Sequence, residues 1–270
     1  MTITIDPRVS FKRILLGLLG LVAVTFFDVP QTQALSESDM VGLLETIDKR
    51  QRSVGDWKAL AYVRSKEKGK SDIAREMVIY RRDASDKMMI LFLKPRNESG
   101  KGYLRLDRNL WMYDPVVGKW ERRTERDRIG GTDSRRADFD ESRLAVEYKP
   151  SYLGEGKLGR FKVHKLKLSS KKGVDVAWPV IELAVDADSG NVLKRQEFAL
   201  SGRLIRTSYY PKWMKLKNPK SGEMVWYPKE MRFFDEIEKG NSTLVKILGI
   251  DLKDLPTNIF TKAWLEAKSR

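Results

Sequence analysis

The sequence predicts a mainly β protein: one large, curled antiparallel sheet, an incomplete β-barrel, covered by a helix near each end of the chain. Three observations carry this expectation. From Trp57 onward, about a dozen short β-prone runs alternate with turn residues. Almost nothing between them has the period of a crossover helix, which argues against a βαβ arrangement. Amphipathic helical patterns occur only before the first of these runs and after the last. Because a twisted open sheet rarely runs flat past ~10 strands, a sheet of this size must curl and so present a concave face.

The chain opens with the pattern of an export signal. Arg8, Lys12 and Arg13 precede the apolar run Ile14 to Phe27, and Gln31-Thr32-Gln33-Ala34 places small residues at the −3 and −1 positions of a cleavage site. At ~1.5 Å per residue the run spans about 21 Å, short of a ~30 Å hydrocarbon core. Residues 1–34 therefore read as a signal peptide cleaved near Ala34, and residues 35–270 as a single domain working outside the inner membrane, in the periplasm. The absence of cysteine excludes both disulfides and acylation on a lipobox cysteine.

A helix follows. Ser36-Glu37-Ser38-Asp39 has the form of a capping box, and Met40, Leu43, Leu44 and Ile47 fall at i, i+3, i+4 and i+7. Strands are then expected at residues 57–65, 75–82, 87–93, 102–107, 110–114 and 119–124. After an irregular stretch they resume at residues 161–168, 179–186, 192–200, 204–210, 224–234 and 242–251, and a last short helix runs from 257 or 258 to about 268. Asp107-Arg108-Asn109 and Asp186-Ala187-Asp188-Ser189-Gly190-Asn191 supply turn residues. In residues 102–107, Leu104 and Leu106 point to one face and Tyr103, Arg105 and Asp107 to the other. Met88 to Leu93 is apolar on both faces. It marks either a central strand covered on both sides or a strand that offers one face to a ligand or partner.

The net charge of +15 becomes +14 once the leader, with three basic and two acidic residues, is set aside. Such a balance suggests polyanions, but export demotes nucleic acid and makes an anionic membrane surface the expected neighbour. Lys and Arg are spread through nearly every strand, so the surface reads as evenly basic. The stretch Arg122 to Arg136, with six arginines around Gly130-Gly131-Thr132, reads as flexible, basic and exposed. It is either a solvated loop or a segment that meets an anionic membrane or an acidic partner. Catalytic patterns are missing: the single histidine, His164, sits in a strand among Lys and Leu without triad partners, and no Gly-x-Ser-x-Gly, P-loop or dinucleotide fingerprint occurs. Asp186-Ala187-Asp188-Ser189-Gly190 imitates a calcium loop but lacks the downstream Glu and flanking helices. No catalytic residue, cofactor or metal site is expected.

Three passages resemble one known family. Leu91-Phe92-Leu93-Lys94-Pro95-Arg96 with Gly100-Lys101-Gly102-Tyr103-Leu104 looks like a strand, a "P-x-x-x-x-G" turn and the next strand. Asn109-Leu110-Trp111-Met112-Tyr113-Asp114-Pro115 followed by Trp120-Glu121-Arg122-Arg123 is similar to an "NLW-x-Y-x-P…R" hairpin. Asp254 to Thr261 with Leu265-Glu266 is similar to a closing "F-T-x-x-x-L-E" helix. In order and spacing these resemble the LolA-like outer-membrane lipoprotein-sorting proteins, over essentially all of the mature chain. The pattern departs at Gly131-Thr132-Asp133, where Ser134-Arg135-Arg136-Ala137 intervenes before Asp138-Phe139.

The resemblance implies a half-barrel over a helical lid with an apolar cavity for acyl chains. It implies a carrier or chaperone of lipid or lipoprotein cargo, with an inner-membrane transporter and an outer-membrane acceptor as partners. The alternative is an accessory binding subunit of an envelope transporter complex; a hydrolase on this scaffold lacks a nucleophile–base set. Strand alternation assigns the lipid-binding lining to Leu104, Leu106, Trp111 and Tyr113, with Leu43, Leu44 and Ile47 from the lid.

Overall fold

The structure, a computed structural model, describes residues 34–52, 55–106, 109–124, 127–138 and 142–269. Residues 1–33 of the expected export signal, the turn residues 107–108 and Arg126 lie outside them. Thirteen strands are observed: β1 (Asp56–Lys66), β2 (Ile73–Arg82), β3 (Lys87–Lys94), β4 (Gly102–Leu106), β5 (Asn109–Asp114), β6 (Lys119–Arg123), β7 (Tyr148–Leu158), β8 (Phe161–Ser170), β9 (Val180–Asp186), β10 (Val192–Phe198), β11 (Leu204–Lys217), β12 (Met224–Asp235) and β13 (Ser242–Asp251). Three helices complete it: α1 (Glu37–Arg52), α2 (Leu144–Glu147) and α3 (Lys262–Lys268).

All thirteen strands join one antiparallel sheet in the order β6-β5-β4-β3-β2-β1-β13-β12-β11-β10-β9-β8-β7. Each strand is paired with its neighbour in sequence except at one seam, where β1 meets β13 with Ala61 opposite Ile247 and Val63 opposite Val245. The chain thus builds one half of the sheet outward from the seam and the other half back toward it. The edges β6 and β7 do not pair, so the barrel stays open, as expected. Between these edges in sequence, residues 127–138 and 142–147 are described.

Two faces follow from the alternation. The inner face carries Trp57, Ala59, Ala61 and Val63 of β1, Met77 and Ile79 of β2, and Met88, Ile90 and Phe92 of β3, together with Phe233, Val245 and Ile247 from the far side of the seam. The outer face of the same strands carries Met89, Leu91 and Leu104, packed under Ile259, Phe260 and Leu265. Residues 88–93 are therefore a central strand, with Met88 to Leu91 and Phe92 buried from both sides. Each fully buried side chain of this size contributes ~1.5–3 kcal/mol, so the strand anchors both layers.

Helix α1 begins at the expected capping box: Ser36 Oγ accepts from the Asp39 N–H at 3.1 Å while Asp39 Oδ2 accepts from the Ser36 N–H at 3.1 Å. Its buried stripe of Met40, Leu44 and Ile47 packs over Leu166, Leu168, Ile181, Leu183 and Val185 of the β8–β9 half. Helix α3 is capped by Thr261, whose Oγ1 accepts from the Trp264 N–H at 3.1 Å. It lies on the other face from the inner cluster. Trp264 meets Tyr80 edge-on at 5.4 Å, and Trp120 Nε1 donates to Glu266 at 2.6 Å. The sheet is covered by a helix near each end of the chain, as expected: α1 packs on the β8–β9 half and α3 on the outer face of β3 and β4.

Two differences concern irregular sequence. Strand β7 falls where a loop was expected. It is an edge strand, which tolerates Pro150, Gly154 and Gly156 because one side of its backbone needs no ladder partner. Strand β11 continues past Pro211 to Lys217 because the register shifts between Tyr209 and Lys212, where the ladder loses no bond to the proline.

Candidate functional site: an apolar cavity on the inner face

A cavity of about 210 Å³ lies on the inner face between α1 and the seam strands. Its apolar wall is formed by Trp57, Ile79, Met88, Trp226, Met231 and Ile247, and Ile47 of α1 and Leu144 of α2 close it from above. Trp57 meets Tyr227 edge-to-face, with ring centroids 4.9 Å apart. This pairing fixes two large rings in one wall. The volume is below the ~300–1,000 Å³ usual for ligand pockets, so a long chain requires α1 to shift outward.

Helix α1 is held as a lid by two polar anchors. Asp48 is 2% exposed. Its carboxylate accepts from the Leu144 N–H at 3.0 Å, the Ala145 N–H at 2.9 Å and the Ser142 hydroxyl, and so serves as the cap of α2. Arg50 Nη1 donates to the Ser189 carbonyl at 2.8 Å and to Asn191 Oδ1 at 3.1 Å, which ties the helix end to the β9–β10 turn.

Residues 127–138, from the segment between the two sheet edges, are packed on the inner face, and Asp138 among them lines the cavity. The expectation of an exposed, mobile basic loop is corrected, for residues 127–138 are bound down across the inner face. Ile129 is buried in the inner cluster, and the Gly130 N–H donates to Tyr103 Oη at 2.8 Å. Gly130 has φ +59, and a Cβ there would come 2.7 Å from the Phe92 ring, so the close approach requires glycine. Asp133 exchanges hydrogen bonds with Thr243 of β13, and Arg128 donates to Asp235 at 2.5 Å.

Arg206 is the centre of this anchorage. It is 1% exposed, donates to Glu197 at 2.6 and 2.8 Å and to Asp138 at 2.6 Å, and lies over the rings of Phe233 and Trp178. Burial works to discharge it, but Asp138 and Glu197 hold its guanidinium well above the ordinary value. Arg195, also bound to Glu197 at 2.8 Å, and Asp138 face the cavity.

The structure divides the seven expected lining residues. Ile47 lines the cavity, Leu44 is buried beneath α1 and Leu43 is packed beside it. Leu104, Leu106 and Tyr113 belong to the outer-face cluster under α3, and Trp111 lies below Lys262 with the ammonium 4.2 Å from its ring centroid. Leu104 and Trp111 are directly opposite each other in the β4–β5 ladder. The two groups are thus on opposite faces of the sheet. Trp213, Trp226, Tyr227 and Arg195 were missed. The density of aromatics in residues 209–213 and 226–227, on the paired strands β11 and β12, was the signal available.

Little in the site suggests chemistry on a substrate. His164 Nδ1 is 3.1 Å from Tyr152 Oη, away from the cavity lining. Among the described residues no cluster of three metal-ligating side chains occurs, and no helix is long and apolar enough to cross a membrane.

Comparison with known proteins agrees with this geometry. A model of a family described as "uncharacterized protein"-like matches residues 84–267. No curated protein matches in sequence. Among solved structures, the chain is similar to an outer-membrane lipoprotein-sorting protein domain from Vibrio parahaemolyticus, with a TM-score of 0.70 and 18% identity over 83% of this chain and 97% of that one. It is similar to a LolA superfamily protein from Nitrosomonas europaea at TM-score 0.67 and 20% identity, over 86% and 100% of the two chains. It is also similar to a DUF1329 family protein from Desulfovibrio piger at TM-score 0.73 and 18% identity, over 85% and 98%. The fold is LolA-like.

Proposed function

Because the chain belongs to the family described as "uncharacterized protein"-like and has the LolA-like fold, we propose that it is an exported carrier that shelters the acyl chains of lipids or lipoproteins in the periplasm, on the way to the outer membrane. The observation that carries this reading is the apolar cavity closed by α1 on the inner face of an open sheet. Exposing an acyl chain to water costs about 0.8 kcal/mol per methylene, on the order of 12 kcal/mol for a 16-carbon chain. A lined cavity removes most of that barrier, and the lid, anchored by polar contacts at Asp48 and Arg50 rather than by a covalent tie, can release to load and unload. Affinity need only match that of the donor membrane, since tighter binding blocks delivery.

An accessory role on a transporter complex has less support. The strand that was its best candidate contact, residues 88–93, has Met88 to Phe92 buried between the two faces, Phe92 at 2%, and only Leu93 exposed among its apolar residues. The test is extraction of the purified mature protein followed by mass spectrometry of bound lipid, with displacement of a fluorescent fatty-acyl probe alongside. Co-purifying lipid and saturable probe binding are expected; a protein that carries no lipid and ignores the probe sinks the carrier reading.

A further inference from the structure

The wall of the inner-face cavity is not uniformly apolar, and its polar groups differ in what they are bound to. Arg50 donates to Ser189 and Asn191, Ser142 donates to Asp48, and both oxygens of Asp138 accept from Arg206. Arg195 is different. Its Nε donates to Glu197 at 2.8 Å, but among the described residues nothing accepts from its two terminal nitrogens. The side chain is 24% exposed and lines the cavity. The hydroxyl of Tyr210, in the same wall, likewise bonds to no described group, and neither it nor the arginine nitrogens are shut off from water.

Strand register brings these donors together. Arg195 stands opposite Leu183 of β9 on one side and Ser208 of β11 on the other. Leu183 also lines the cavity, so this is the face that looks into it. Tyr210 is two residues beyond Ser208, hence on the same face and within diagonal reach of Arg195. Each of the two groups feels the other's charge. Burial works against the charge of Arg195, but Glu197 holds its pKa above the ordinary value, so it stays a cation. Burial pushes the Tyr210 hydroxyl up to about 12, which keeps it protonated and able to donate. The neighbouring carboxylates are already closed, Glu197 by Arg195 and Arg206 and Asp138 by Arg206. The cavity is thus offered a cation with two free nitrogens beside a phenol, a set that only donates from the arginine and matches the oxygens of a carboxylate or phosphate.

Resting on the carrier reading, we infer that Arg195 and Tyr210 form a head-group subsite and that the cargo is an acyl lipid with an oxyanion at its head. The oxyanion sits against the terminal nitrogens of Arg195 and accepts from the Tyr210 hydroxyl. The acyl chain follows the apolar wall of Met231, Ile247, Ile79 and Met88.

Three ligands of equal chain length separate the contributions: palmitate, hexadecyl phosphate, and methyl palmitate, which keeps the carbonyl but has no charge. Their affinities for a chain of residues 35–270 are read at pH 8 by displacement of a neutral fluorescent acyl ester. A hydrogen bond to a charged group corresponds to about a ten- to hundredfold change in affinity. At least one of the anions is expected to bind about tenfold or more tightly than methyl palmitate, and the tighter of the two identifies the head as carboxylate or phosphate. Arg195→Met should bring that anion down to the level of the ester while leaving the ester within about twofold. Tyr210→Phe removes a hydroxyl that no described group holds, so it should melt with the parent yet weaken the tighter anion about fivefold. Thermal melting shows that each variant is folded, and the comparison of anions with ester needs no variant at all. Equal affinity for all three ligands, or an equal loss of all three in Arg195→Met, overturns the subsite while leaving the carrier intact. Failure of all three, with no binding of the fluorescent ester, overturns both.

Discussion

Asp83 carries a carboxyl group where water does not reach. Burial pushes its pKa from 3.8 up to about 6, against the opposing pull of Arg81 and a hydrogen bond from Trp57, while the neighbouring Asp86 adds to the cost of its charge. The sign for stability follows. The folded state holds this proton more tightly than the unfolded chain does, so stability is lost as pH rises from about 4 to about 6 and stays lower above that. Asp83→Asn is therefore expected to melt at the same temperature as the parent near pH 4 and at a higher one at pH 8. The gain is up to about 3 kcal/mol, at ~1.4 kcal/mol per pKa unit. Thermal melting across pH 4–8 measures it, and a variant less stable at pH 8 sinks the account. Gly130 gives a second residue-scale prediction. Gly130→Ala meets both a left-handed backbone and the buried Phe92 ring, and should cost about 2–4 kcal/mol, a fall of roughly 5–15 °C in melting temperature. Gly131 is also left-handed, at φ +68, but a Cβ there meets nothing within 4 Å. Gly131→Ala should therefore cost less, and equal losses would remove the close approach as the cause. Alternation in the sequence marked the outward and inward residues of single strands correctly, as with Leu104 and Leu106 against Tyr103. It contains no information on which set faces the cavity, and that is why Leu104, Leu106, Trp111 and Tyr113 turn out to lie under α3.

Among the elements, those with a repeating local pattern were legible and those defined by distant partners were not. The stripe of α1 and the bounds of most strands follow from nearest-neighbour periodicity. Strand β7 was hidden by Pro150, Gly154 and Gly156, residues that an edge accepts and an interior strand rejects. The segment of residues 127–138 read as loose because its polar partners are remote in sequence: Arg128 meets Asp235, Asp133 meets Thr243, and Asp138 meets Arg206. The lid depends on one such remote contact. Asp48 caps α2 from α1 across almost a hundred residues of chain. Asp48→Ala leaves two backbone donors and a serine hydroxyl without their acceptor, at a cost of about 2–3 kcal/mol. Amide hydrogen exchange should speed up in residues 142–147 and in the last turn of α1, with β1 and β13 unchanged. Uniform acceleration across the sheet would show that the lid does not move as a separate unit.

At the scale of the whole molecule, charge is sorted by residue type. Arginine does the internal pairing: Arg75 with Glu98, Arg82 with Asp56, and Arg206 with Glu197 and Asp138. Lysine does not, for none of the described lysines is buried. Most acidic groups that face inward are thus already neutralised by arginine. The surplus behind the net charge of +15 is left on the outside, carried by flexible lysines distributed over nearly every strand. Such a surface attracts an anionic bilayer without needing a specific site, each cation near it contributing ~1 kcal/mol at low ionic strength and progressively less as the Debye length shrinks. For a carrier this is useful, since it brings the cavity to a membrane and leaves release to weak, separable contacts. A chain of residues 35–270 should therefore sediment with vesicles containing phosphatidylglycerol in about 20 mM salt, ignore vesicles of phosphatidylcholine alone, and come off the anionic vesicles by about 0.5 M salt. Single exposed Lys→Glu substitutions, at Lys165 or Lys246 for example, should each weaken binding only a few-fold. A single substitution that abolished it would replace the diffuse field with a dedicated anion site, and retention in 0.5 M salt would replace electrostatics with insertion of apolar surface.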